Sequence, residues 1–118
     1  MAFNDTVMRF AFESPNAGPL EGATHTGVSG TPGGGRYIKV HVIVEDGLIK
    51  KAQWESNGCP ASMSCASAVC TLACGKVVEF VDKICEEDVI LILGGLPEGK
   101  EDMARMAVEA LRKATGRG

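Results

Sequence analysis

Tyr37-Ile38-Lys39-Val40-His41-Val42-Ile43-Val44 is rich in β-branched residues and mostly alternates in polarity, as a strand with one buried face does. Glu45-Asp46-Gly47 follows as a turn in which Gly47 is free to take a positive φ, and Leu48 to Ser56 resumes the strand pattern. The three pieces predict a β-hairpin. Downstream, the composition changes to small residues over Ala61 to Cys74, which predicts a largely buried helix with Ser64, Ser67 and Thr71 on a narrow polar stripe, ended by Gly75 at C′. Val77 to Cys85 reads as a second helix and Glu86 to Leu93 as a third, stopped by Gly94-Gly95 and Pro97. Met103, Met106, Ala107, Ala110, Leu111 and Ala114 recur at helical spacing in the last segment. Upstream, Val7, Met8, Phe10 and Phe12 suggest a short docking helix. Ser14 to Gly35 is Gly- and Pro-rich and irregular, apart from a short strand around Thr24 to Val28. The expected class is α+β, with helices on one face of a small antiparallel sheet of about three strands.

Between hairpin and helix lies Asn57-Gly58-Cys59-Pro60. Pro60 suits the first helical position because the N–H it lacks would have no partner there. Gly58 lets the chain turn sharply. Cys59 is thereby set at a helix start, where unpaired N–H groups and the positive end of the helix dipole favour thiolate over thiol. A thiolate is both a nucleophile and a soft metal ligand, so Cys59 is the leading candidate for chemistry.

The 118 residues suit one domain spanning 1–118. The net charge of −3 and scattered basic residues leave no footprint for nucleic acid or anionic lipid. Met1 to Glu13 carries charges among its apolar residues, with no hydrophobic run of signal-peptide or membrane-span length, so a cytoplasmic location is expected. Cys59, Cys65, Cys70, Cys74 and Cys85 are odd in number, which argues for reduced thiols rather than a disulfide framework. The Gly-rich loop at 30–35 enters a strand and lacks a following Gly-Lys-Ser/Thr, so it is no phosphate loop.

Several motifs in order then carry a resemblance. They are Pro15-Asn16-Ala17-Gly18, Gly30-Thr31-Pro32 before the first hairpin strand, Asp46-Gly47, Gly58-Cys59-Pro60-Ala61-Ser62, Gly75-Lys76, and Gly94-Gly95-Leu96-Pro97 before an Ala-rich helix. From about Phe12 to the C-terminus the chain resembles the U-type iron–sulfur cluster assembly scaffolds, the NifU N-terminal domain or IscU-like family. The resemblance implies a non-enzymatic scaffold whose three cysteines, helped by an Asp and a His, hold a transient 2Fe–2S cluster. It also implies a cysteine desulfurase as sulfur source and iron–sulfur acceptor proteins as partners. Carried over residue by residue, the first cysteine falls on Gly34, the Asp on Arg36, the His on Asp102 and the third cysteine on Met103. Only the middle cysteine, Cys59, matches. Lys100 is retained, while the family's double proline is broken after Pro97.

A cluster needs about four soft or imidazole ligands, so one chain lacks the ordinary set. Iron alone, zinc, a cluster bridging a homodimer, or no metal remain as alternatives. No Cys-x-x-Cys pair or His partner has zinc-finger spacing. Asp102 is a weak oxygen-ligand candidate, and Met103 reads as a core methionine. The default for Cys65, Cys70, Cys74 and Cys85 is a small buried apolar residue. Cys65 is the exception to weigh, as an exposed resolving thiol or weak ligand near the helix start. His25 reads as a loop residue, His41 as a solvent-face strand residue, and Trp54 and Tyr37 as packing residues. Two functions follow: iron or sulfur handling through Cys59, or a non-assembling paralog that docks on a desulfurase or target protein. A thiol redox pair of Cys59 and Cys65 ranks third.

Overall fold

The computed structural model describes residues 3–31 and 33–117; Pro32 of the glycine loop lies outside them. The chain runs α1 (Asp5–Phe12), β1 (His25–Gly30), β2 (Tyr37–Glu45), β3 (Leu48–Ser56), α2 (Pro60–Ala73), a 3-10 helix (Val78–Lys83), α3 (Glu86–Ile92) and α4 (Asp102–Ala114). It is an α+β architecture: a three-stranded antiparallel sheet in the order β1-β2-β3 with helices on one face.

The hairpin turns at Asp46 and Gly47, with φ of 53° and 74°. Two consecutive left-handed residues match the right-handed twist of the flanking strands, which is why Asp-Gly suits this turn. Ile38, Val40 and Val42 face the helices opposite Trp54 and Ala52, while Lys39 and His41 face away. The run Val42-Ile43-Val44 breaks strict alternation for a reason. Pairing shifts between Ile43↔Lys51 and Val44↔Ile49, leaving Lys50 unpaired as a bulge and returning Ile49 to the core.

Helix α2 lies at the centre, packed on α1, α4 and β3. Its buried positions are nearly all Ala, Ser and Cys, so neighbouring elements approach closely. The expected polar stripe is only partly a surface stripe. Thr71 is exposed, but Ser64 and Ser67 are buried. Their hydroxyls are nonetheless satisfied, Ser64 donating to the Ala61 carbonyl at 3.0 Å and Ser67 to Ser14 Oγ at 2.8 Å.

The segment read as a helix over Val77 to Cys85 is a 3-10 helix over Val78–Lys83. Val78, Val81 and Ile84 turn inward at a spacing of three, the period of a 3-10 helix and not of an α-helix. Its start is tied to the hairpin by Val78 N–H donating to the Gly47 carbonyl at 2.9 Å. No helix among the described residues is long and apolar enough to cross a membrane.

Candidate functional site

Cys59 is the N-cap of α2, with Pro60 in the first turn. Three polar residues hold it there. Asn57 spans the glycine loop, its Nδ2 donating to the Gly35 carbonyl at 2.6 Å and its Oδ1 accepting from Tyr37 N–H at 3.0 Å. Ser56 Oγ donates to the Tyr37 carbonyl at 3.0 Å, and Ser62 Oγ returns to the Cys59 carbonyl at 2.9 Å. Gly58 must be glycine for space, since a Cβ there would sit 1.9 Å from Ser62 Oγ and 3.6 Å from Arg36 Cγ. Asn57, Ser56 and Ser62 carry roles here that spacing along the chain does not signal. The Asn-Gly pair before Cys59 was the available signal, but its partners lie far off in the chain.

The Cys59 thiol is partly exposed. Partial burial pushes its pKa up, yet the N–H groups of Ser62 and Ala61 and the charges of Lys100 and Arg36 outweigh this and leave it below the usual thiol value. The sulfur makes no full capping hydrogen bond of its own. The helix-start N–H groups thus favour the thiolate without consuming it.

Among the described residues the other candidates complete no group of three ligands with it. Gly34 is exposed and offers no ligand, and a Cβ there would meet Thr31 Cγ2 at 3.0 Å. Met103 is buried, as a core methionine should be. Asp102 opens α4 at the surface, paired with Arg105 at 3.3 Å. No three His, Cys, Asp or Glu side chains among the described residues are grouped to hold a metal ion.

Of the remaining cysteines, two match the buried default and two do not. Cys65 is fully buried, as the default reading has it and against the exposed exception, and burial followed by the neighbouring Cys59 charge pushes it up to about 12. A neutral, enclosed thiol is poorly placed to resolve a disulfide at the surface. Cys70 is buried as expected. Cys74 and Cys85, expected inside, are exposed. Cys74 caps α2 in extended conformation rather than following Cys70 around the helix, and Cys85 caps α3, where its S–H faces Asp88 Oδ2 at 3.3 Å.

His25 opens β1 at the surface. His41 does lie on the helix-free face of the sheet, but it is held on both sides, by Thr26 Oγ1 at 2.9 Å and Glu55 Oε2 at 2.6 Å. Trp54 packs in the core and also donates its Nε1–H to Ser14 Oγ and Asn16 Oδ1 at 3.1 and 3.0 Å. Those bonds anchor the Pro15-Asn16-Ala17-Gly18 segment beside β3, where Gly18 N–H reaches the Trp54 carbonyl at 2.7 Å.

A family profile described as the NifU-like N terminal domain matches residues 2–117. Iron-sulfur cluster assembly scaffold protein IscU 1 of Archaeoglobus fulgidus is 34% identical over 104 residues, covering 87% of this chain and 68% of that protein. Among solved structures, a hypothetical protein superposes with a TM-score of 0.75 at 20% identity, over 95% of each chain. The N-terminal part of a nitrogen-fixing NifU-like protein from Brucella abortus superposes with a TM-score of 0.58 at 17% identity, over 97% of this chain and 79% of that one. Both superpositions speak to the fold.

Proposed function

This chain belongs to the NifU-like N-terminal domain family, and on that footing we propose that it works in iron–sulfur cluster assembly as a non-catalytic protein handling sulfur or iron through Cys59. The observation that carries the reading is the placement of Cys59: a partly exposed thiol on a helix start, biased toward thiolate by backbone N–H groups and two cations. Such a group can accept sulfane sulfur and can ligate a soft metal.

The residues of one chain do not fit a whole cluster, because Gly34 has no side chain to offer and Met103 is buried in the core. Sulfur acceptance needs only Cys59. A complete cluster would need ligands from a second copy or from a partner. The proposed partners are a cysteine desulfurase upstream and iron–sulfur acceptor proteins downstream. The lack of a grouped ligand set among the described residues favours one second reading: a paralog that docks on these proteins and assembles nothing.

The test is to incubate the chain without oxygen with ferrous iron, cysteine and a cysteine desulfurase, then to measure iron and acid-labile sulfide per chain. Both elements bound to wild type and lost in Cys59→Ser is the expected result. Neither bound, with desulfurase binding unchanged by Cys59→Ser, would replace the first reading with the second.

A further inference from the structure

We propose that the groove between the end of α2, the 3-10 helix and α3 docks a basic amphipathic helix of a partner protein, which lays its apolar face into the groove. The groove has a volume of about 410 Å³, and its walls include Leu72, Phe80, Ile84 and Ile92. Leu91 lines it too and is 80% exposed, more than any other large apolar side chain among the described residues. A single exposed leucine is ordinary, but one set beside a cleft of apolar side chains forms a contiguous patch. The site lies apart from Cys59. Leu72 is more than three turns further along α2, about 20 Å at the helical rise, so docking here is separable from the sulfur chemistry proposed above.

Charge selects the occupant. Residues 76–92 carry Glu79, Asp82, Glu86, Glu87 and Asp88 against Lys76 and Lys83, a net charge of −3 that equals that of the whole chain. Among the described residues only Asp82 of these acids is ion-paired, with Arg117. Glu87 and Asp88 stand four and three residues before Leu91, which puts them on its side of α3. An apolar cleft with carboxylates at its edge is complementary to apolar anchors flanked by Lys or Arg. The elements that line it are all helical and satisfy their own backbone groups, so they offer no sheet edge to an extended peptide. The partner segment must therefore satisfy its own backbone, as a helix does, and reach in with anchors spaced three and four residues apart.

A model peptide tests this. The full chain, isotope-labelled for amide NMR, is titrated with a Leu/Lys amphipathic helical peptide of about 18 residues and with its Leu/Glu counterpart. The Leu/Lys peptide should shift amides of the 3-10 helix, α3 and the end of α2, and leave those around Cys59 in place. Leu91→Ser, at an exposed position, should weaken binding about tenfold. Glu87→Lys should weaken it about threefold at low salt, an effect that fades at about 1 M. Equal affinity for the Leu/Glu peptide would overturn the charge selection, and shifts centred elsewhere, or affinity unchanged in Leu91→Ser, would overturn the site. Self-association through these same amides, relieved by Leu91→Ser, would give the groove to a second copy and overturn the partner proposed. No shift with either peptide would overturn the docking while leaving the Cys59 reading untouched.

Discussion

Cys59 and Cys65 belong to the same helix and have opposite chemistry because one is at its open end and the other inside the core. At the N-cap, partial desolvation is outweighed by N–H groups and cations. Inside, burial dominates, and the Cys65 proton is held up to about 12. This makes Cys65 a pH-dependent element of stability. Its folded value is raised, so its contribution is complete below the unfolded thiol pKa of about 8.5 and declines as pH rises from there toward about 12. The slope over that window is about 1.4 kcal/mol per pH unit. Urea denaturation at pH 7.5 and pH 10 should therefore show wild type losing about 2 kcal/mol more between the two than Cys65→Ala does. An identical loss in both proteins would mean that Cys65 is not held neutral by the core.

Among the elements, β1 depends on glycine for close approach to a helix. A Cβ on Gly27 would fall 2.2 Å from the Ala110 carbonyl oxygen and 2.3 Å from the Ala114 nitrogen of α4. Both are backbone atoms and cannot swing aside. Gly27→Ala should push the sheet edge off α4 and lower stability by about 2–3 kcal/mol, the range of an overpacked core, read as a lower midpoint in urea. A change within about 0.5 kcal/mol would show that β1 shifts freely on α4. The same close packing explains the choice of residues on the α4 side, where Ala107, Ala110 and Ala114 are fully buried. The 3-10 helix illustrates the limit of periodicity: an apolar spacing of three was there to be read at Val78, Val81 and Ile84, but a short run with Val77 and Phe80 alongside also fits an α-helix.

For the whole molecule, Asn4 joins the two ends of the helical layer. Its Oδ1 accepts from Val7 N–H at 2.8 Å and caps α1, while Nδ2 donates to the carbonyls of Leu93 and Gly95 at 3.1 and 3.2 Å after α3. One side chain thus satisfies an N-terminal donor of one helix and C-terminal acceptors of another. Asn4→Ala should cost about 1–2 kcal/mol, followed through fluorescence of Trp54, the single tryptophan. Asn4→Asp keeps the cap and loses the donor, so its loss should be smaller; equal losses would assign the whole effect to the Leu93 and Gly95 contacts.

The hairpin and its Asp46-Gly47 turn, the helix end at Gly75, the burial of α2 and the position of Cys59 at a helix start were all legible in the chain itself. Each follows from residues within a turn or two of one another, where backbone sterics, side-chain period and local hydrogen bonding suffice. The bulge that leaves Lys50 unpaired, the exposure of Cys74 and Cys85 against the enclosure of Cys65, and the Asn57 clamp on the glycine loop were decided only by packing. Those outcomes depend on which distant surfaces exclude water together and which charges are left facing one another, and spacing along a chain carries neither.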